Sequence, residues 1–368
     1  MTTVLHLINY LGNGGSEKYI LSLAEKLHGK SCRFYTAYSD EGSGLKSFEE
    51  AHIDLFRLNM RNPFDIRAAL ELKALCSRLS VDVIHSHFLR ENYIGILSKI
   101  LGNKVKIINT RHMLFENSSS VILANRLLTR YNSKIIAVSG KVREQLLREG
   151  IRPKKVKLIY NGVDLEQWAS PCALTFRKEN GISDDEFVST SVARFSPEKG
   201  HAFFLDAIRQ FKDVIKTCDE PLGKFRFVLA GDGELLVSMR EKAKKLDLEN
   251  EILFPGYVSD IKNLLRSSDL FVSHSSCEAL GISILEAMAA GLPVISTDSG
   301  GTREIINGEP KTGILVEYGD KPALADSLIS LIRNKELREQ YISKGHIVIR
   351  EQFSLDKTSE ETYNLYRQ

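Results

Sequence analysis

The feature that most constrains the fold is a repeated alternation of short, branched apolar runs with longer amphipathic stretches. In the first half the runs are TVLHLI, CRFYTAY, VDVIHSHF, VKIINT, KIIAVS and VKLIY; in the second they are FVSTSVARF, FRFVLAG, EILFPGYV, LFVSHSS, LPVISTD and TGILVE. Strand-length apolar runs separated by helix-length segments read as parallel strands joined by right-handed helical crossovers. Two such series in 368 residues exceed one hydrophobic core. The expected class is therefore α/β with two doubly wound, Rossmann-like domains. Asn161-Gly162 is a turn signal and periodicity fades through Pro171, so the domains are expected at 1–165 and 166–349, with a linker at about 163–180. Ser354 to Tyr366 reads as a closing helix with a serine N-cap.

Composition narrows the class further. With 43% hydrophobic and 26% charged residues the chain has a globular balance. No run approaches the roughly 18 apolar residues of a membrane span, and no basic segment precedes the first apolar run; a cytoplasmic protein is the expectation. Cys32, Cys76, Cys172, Cys218 and Cys277 are scattered, odd in number and form no CxxC pair, which argues for reduced thiols and against a zinc site. Charge is asymmetric: residues 1–170 carry 25 Lys+Arg against 16 Asp+Glu, and residues 171–368 carry 25 against 31. Arg126 to Lys157 holds ten basic and two acidic residues. Two readings stand, a solvated basic face or a surface that meets an anionic partner such as a membrane at its inner face. No nucleic-acid partner is expected.

The strongest motif is CEALGISILEAMAAGLPVIST. A turn at Gly281 opens a helix that ends at Gly291, and the amides of Leu280, Gly281 and Ile282 form an anion site at a strand's carboxyl end. Glu278 before the helix and Glu286 in its second turn bracket that site, and carboxylates pair well with the diols of sugars and ribose. In SVARFSPEKG, Arg194 and Lys199 bring two cations to another strand end, suited to a diphosphate. No DxD is present, so a metal is not called for. Gly12, Gly14 and Gly15 follow the first strand and allow close approach of phosphate or sugar. The loop is not GxGxxG, because Glu17 takes the third glycine position, and a dehydrogenase is disfavoured although Asp40 follows the second strand. His112 follows a strand end where an imidazole can meet a hydroxyl. His85 and His87 lack a matching cluster of metal ligands and read as structural or acceptor-side. Cys277 reads as a small buried residue, since no basic partner is evident beside it.

In order and spacing, GNGGSE, TRH, AVSG, YNGVD, ARFSPEKG, LAGDGE, PGYVSD, EALGISILEAMAAGLPVI and SGGTREII resemble the family 4 retaining glycosyltransferases. The resemblance spans almost the whole chain and implies a GT-B fold, two Rossmann-like domains facing across a cleft, with the terminal helix, about 350–368, crossing back to the N-terminal domain. It further implies that Glu286 holds ribose, Glu278 meets the donor sugar, Arg194 and Lys199 clamp the diphosphate, and Leu280, Gly281 and Ile282 supply amides. Gly14 and Gly15 would face the donor, His112 would lie near the reacting sugar, and Tyr257 and Val258 near the base. The expected donor is a nucleotide-diphosphate hexose or N-acetylhexosamine, UDP-linked by family frequency, acting as co-substrate with no other cofactor. The expected acceptor is a saccharide or lipid-linked hydroxyl in envelope or polysaccharide synthesis. Ala279-Leu280 stands where many relatives carry an aromatic. The competing readings are a non-catalytic nucleotide-sugar-binding subunit and another GT-B enzyme such as an epimerase or phosphorylase.

Overall fold

The computed structural model describes residues 1–217 and 221–368. These divide into two compact units, Met1–Asn161 with Leu355–Gln368, and Gly162–Ser354. The stretch expected as a linker belongs to the second unit, where Leu165–Ala169 and Phe176–Glu179 are helical. Asp164 and Asn263 make the difference. Asp164 caps the first of these helices through the Glu166 and Gln167 amides, and Asn263 Oδ1 accepts from the Thr175 and Phe176 amides.

The first unit holds seven parallel strands: β1 (Thr2–Leu7), β2 (Cys32–Tyr38), β3 (Asp54–Arg57), β4 (Val83–Ser86), β5 (Lys106–Arg111), β6 (Lys134–Ala137) and β7 (Val156–Leu158), in the order β3-β2-β1-β4-β5-β6-β7. β3 was not among the apolar runs because it is an edge strand whose residues are half-buried or exposed. The central strands are covered on both faces, so even His85 and Ser86 of β4 are fully buried. The helix Leu355–Arg367 lies on this unit because its polar atoms meet it as well as its apolar ones. Thr358 donates to the Tyr160 carbonyl at 2.8 Å, Lys106 donates to the Tyr366 carbonyl at 3.0 Å, and Lys26 pairs with Asp356 at 2.9 Å.

The second unit holds six parallel strands: β8 (Glu186–Val192), β9 (Lys224–Ala230), β10 (Ile252–Gly256), β11 (Leu270–Ser273), β12 (Val294–Thr297) and β13 (Gly313–Val316), in the order β10-β9-β8-β11-β12-β13. The helix His201–Lys216 buries Phe203, Phe204, Ile208 and Phe211 in its largest core. In both sheets the strand order reverses once, between β1 and β4 and between β8 and β11. Open α/β sheets bind ligands at that reversal, beyond the carboxyl ends of the strands. Among the described residues no helix is long and apolar enough to cross a membrane. Cys32, Cys76, Cys172 and Cys277 are free thiols; Cys218 lies outside the described residues.

Candidate active site

In the second unit the two loops at the reversal are tied together. β8 runs through Arg194 into a short turn, Pro197–Lys199, and β11 runs through His274 to Gly281. The Ser276 amide donates to the Glu198 carbonyl at 2.8 Å. His274 bridges the loops, with Nδ1 2.6 Å from the Lys199 carbonyl and Nε2 2.8 Å from Ser191 Oγ. Burial, reinforced by neighbouring His201, holds the His274 pKa far below its ordinary value, so the brace is neutral. Gly200 has φ +70°, and a Cβ there would overlap the His274 carbonyl oxygen; only glycine permits the approach.

The brace delivers Lys199 to Glu278. Lys199 Nζ donates to Glu278 Oε1 at 2.6 Å and Ser275 Oγ donates to the same oxygen at 2.7 Å. Among the described residues Glu278 Oε2 has no hydrogen-bond partner. The Glu278 backbone is held by the segment after β12: its amide donates to the Ser299 carbonyl at 2.7 Å and its carbonyl accepts from Gly301 at 3.0 Å. SGGTREII is thus the clamp for Glu278, and a Cβ on Gly301 would strike the Ala279 carbonyl oxygen. Gly281, at φ +103°, caps the helix Ile282–Ala289. Among the described residues no acceptor takes the amides of Leu280, Gly281 and Ile282, the free donors of a helix start. Glu286, in the second turn, is buried at 8% exposure. Cys277, next to Glu278 in the chain, is half-buried, and burial with the Glu278 charge pushes its thiol pKa up, away from a nucleophilic thiolate.

Arg194 is more exposed than expected for a residue gathered into the site. Its side chain is 67% exposed and donates to Glu198 at 3.1 Å. Its loop lies flat on the exit of β9 because Gly231 and Gly233, at φ +144° and +147°, leave room for the Ala193 and Phe195 carbonyls. The sequence reading used LAGDGE only as part of a resemblance; two glycines flanking an aspartate directly after a strand were the available signal. Tyr257, 59% exposed, and the partly buried Val258 follow β10, two strands from β8.

In the first unit, Gly14 and Gly15 open the helix Gly15–Leu27. The Gly12 amide donates to Glu17 Oε1 at 3.1 Å and Ser16 Oγ donates to Glu17 Oε2 at 2.7 Å. The Glu17 carboxylate is thus seated in the glycine loop, held by the loop's own donors.

His112 ends a row of three rings. His6 Nδ1 is 3.0 Å from His87 Nε2, and His87 Nδ1 is 3.0 Å from His112 Nε2. His85 stands beside the row, bonded to Tyr366 Oη at 2.6 Å and Thr110 Oγ1 at 2.7 Å. Ring nitrogens of His6, His85 and His87 lie within 4.8 Å of one another. The expectation that His85 and His87 lack a cluster is therefore corrected: parallel register sets His6 opposite His85, and no spacing in the sequence reveals that. Burial lowers the pKa of His6 and of His112 to about 3, and burial with the neighbouring histidines holds that of His87 well below its ordinary value. Neutral rings in a row must all donate in the same direction. Because His6 Nε2 is buried without a partner, the cheaper direction runs from His6, which leaves a lone pair rather than an N–H stranded and sets the His112 proton on Nδ1.

Two parallel Rossmann-like sheets, each with one reversal of strand order, define the GT-B class. A model of glycosyl transferases group 1 matches residues 174–347, and one of Glycosyltransferase Family 4 matches residues 13–167. The chain belongs to this family of glycosyltransferases. It is 26% identical over 326 residues, 87% of this chain and 83% of the relative, to the N-acetyl-alpha-D-glucosaminyl L-malate synthase of Bacillus anthracis. It is 28% identical over 284 residues, 74% of this chain and 72% of the relative, to the UDP-Gal:alpha-D-GlcNAc-diphosphoundecaprenol alpha-1,3-galactosyltransferase of Escherichia coli. The fold matches the crystal structure of Anabaena HepE in complex with UDP and glucose, with TM-score 0.87 at 21% identity over 99% of each chain.

Proposed function

We propose that the chain transfers a hexose or N-acetylhexosamine from a UDP-linked donor to a hydroxyl acceptor, with retention of anomeric configuration and without a metal. The observation that carries this reading is the buried Glu286 behind the free amides of a helix start, next to the Lys199–Glu278 pair at the strand reversal. Glu286 takes the ribose hydroxyls and Glu278, through Oε2, takes hydroxyls of the donor sugar. The amides of Leu280, Gly281 and Ile282 meet the anionic end of the donor. Lys199, an ammonium with three donors, keeps Glu278 and still reaches the diphosphate, while Arg194 swings from its exposed pair with Glu198, an interaction of little worth. Tyr257 and Val258 flank the base. Gly14, Gly15 and the neutral His112 serve the sugar hydroxyls.

Rate acceleration comes from neutralising the departing diphosphate and from fixing the acceptor hydroxyl, with the leaving phosphate assisting its deprotonation on the same face. The carboxylates are not a glycosidase pair, because they bracket an anion rather than a scissile bond. The relatives' printed substrates, L-malate and a diphosphoundecaprenol-linked saccharide, support an acceptor in envelope or glycolipid synthesis, and the UDP complex of a structural neighbour supports the base. Attachment to the inner face of an anionic membrane belongs to the same reading. The helix Ser119–Leu128 exposes Leu123 and Leu127 next to Arg126, and burial, then crowding by Lys154, Arg152 and Lys134, lowers the Lys155 pKa. Leu146, within the same basic stretch, is buried at 4% exposure and does not contribute.

The test is a pair of substitutions. Glu286→Ala should weaken UDP binding by about 1.5–3 kcal/mol, the loss of hydrogen bonds to a charged acceptor. Lys199→Ala should depress turnover more than nucleoside binding. Unchanged UDP affinity in a folded Glu286→Ala protein would remove the ribose role.

A further inference from the structure

Of the three rings in the row, His112 offers a free nitrogen to the outside. Its Nδ1 has no partner among the described residues and, unlike His6 Nε2, is not shut off from solvent. The ring lines a cavity of the first unit. Whether that nitrogen donates or accepts is decided by what the other ring nitrogen is bonded to.

The row leaves little freedom. His6 and His87 have ring centres 5.3 Å apart and planes inclined by 21°, and His87 and His112 have centres 5.3 Å apart and planes inclined by 25°. In each pair 5.3 Å is the 3.0 Å nitrogen–nitrogen distance plus the two ring radii. The bonding nitrogens therefore lie on the line of centres, where an in-plane N–H meets an in-plane lone pair. Tyr19 packs edge-on against His112 with centres 5.1 Å apart, and its hydroxyl lies 3.3 Å from Thr362 Oγ1. Burial keeps the three rings neutral, so each has one N–H to give. At the closed end, His6 Nε2, a lone pair is cheaper to strand than an N–H.

An apolar side chain would fill the fully buried His87 position at less cost, because a buried imidazole has to find a partner for each nitrogen. His87 finds them in His6 and His112, and the second bond ends on a ring that faces outward.

We propose that His87, backed by His6, is a positioning residue for His112: its Nδ1–H holds His112 Nε2, so that His112 meets substrate as a hydrogen-bond donor through Nδ1. The inference rests on the glycosyl-transfer reading, in which His112 serves a sugar hydroxyl, and adds the direction of that bond. The sugar oxygen at His112 accepts, and its own proton points elsewhere. A ring whose lone pair is already taken by His87 has no place for the acceptor's proton, which leaves deprotonation to the departing phosphate.

The tautomer is read directly from two-bond proton–nitrogen correlation spectra of the full chain carrying ¹⁵N-labelled histidine, with the His112 signals assigned by their loss in His112→Gln. A protonated and a bare ring nitrogen are well separated in such spectra. The expected pattern has the proton on Nδ1 of His6, His87 and His112; a proton on His112 Nε2 overturns the proposal. Turnover of UDP-glucose, UDP-galactose, UDP-N-acetylglucosamine and UDP-N-acetylgalactosamine tests the consequence. His87→Leu keeps bulk and loses the donor, whereas His87→Asn is smaller but sets an amide N–H where Nδ1 stood. The leucine variant should lose about tenfold in kcat, the order of one hydrogen bond, and the asparagine variant less than about threefold. UDP affinity should be unchanged in both, and the leucine variant should be at least as stable to urea. Leucine equal or superior to asparagine in kcat is the order that a packing role gives, and it overturns the proposal. Should neither variant fold, the wild-type spectra decide. A wild type that binds no UDP and releases none from the four donors sinks the transfer reading, while the spectra still decide the row.

Discussion

The buried histidine row makes the first unit sensitive to mild acid by an amount that follows from its pKa values. His6 and His112 titrate at about 3 in the folded protein against 6.5 for an unperturbed histidine. The folded value is the depressed one, so between pH 6.5 and 3 the unfolded chain binds more protons. Stability from these groups is complete above pH 6.5 and is lost progressively as pH falls toward 3. At pH 5.0 each independently titrating histidine costs about 2 kcal/mol, which is 1.5 pH units at roughly 1.4 kcal/mol each. Because the three rings share hydrogen bonds, removing one should recover no more than that amount. The assay is urea unfolding at pH 7.5 and pH 5.0, followed by far-ultraviolet circular dichroism for the whole chain. The sole tryptophan, Trp168, lies in the second unit and reports on it alone. His6→Asn removes the ring at the closed end of the row. Its pH-induced loss of stability should be smaller than that of the wild type by about 1–2 kcal/mol in the transition that Trp168 does not report. Equal losses in the two proteins would refute the reasoning, whatever the variant's stability at pH 7.5.

Gly301→Ala should lower donor turnover at least tenfold with a modest loss of stability, because its Cβ would displace the Ala279 carbonyl and with it the segment that holds Glu278; steady-state rates beside a melting curve check both parts. Activity should survive EDTA, since the cations beside the donor belong to the protein; a loss restored by magnesium or manganese would contradict this. Binding to anionic liposomes should be weak and fall with salt, because each cation near the surface adds about 1 kcal/mol and is screened over about 8 Å. Equal, negligible sedimentation with anionic and neutral vesicles would leave Arg126 to Lys157 as a solvated face.

The second unit was the more legible half. Its strands are continuous apolar runs, and Glu278, Gly281 and Glu286 sit within nine consecutive residues, so one helix and one turn fix their relation. Where side chains meet across strands, spacing carries no such information. His6 reaches His87 from 81 positions away, and His274 ties the β8 and β11 loops from inside what reads as one more strand end. β3 escaped notice because an edge strand needs no apolar face. The linker was misread because Asp164 and Asn263 supply capping that hydrophobic periodicity does not register.

The central claim, a UDP-sugar donor consumed at the Glu278–Glu286 helix, is tested most directly by UDP release. The purified chain is incubated with UDP-glucose, UDP-galactose, UDP-N-acetylglucosamine and UDP-N-acetylgalactosamine, and free UDP is followed over time in the wild type and in Glu286→Ala. The account predicts release from at least one donor, slowed at least tenfold at subsaturating donor in the variant. No release from any of the four, with no UDP binding by the folded protein, would contradict it.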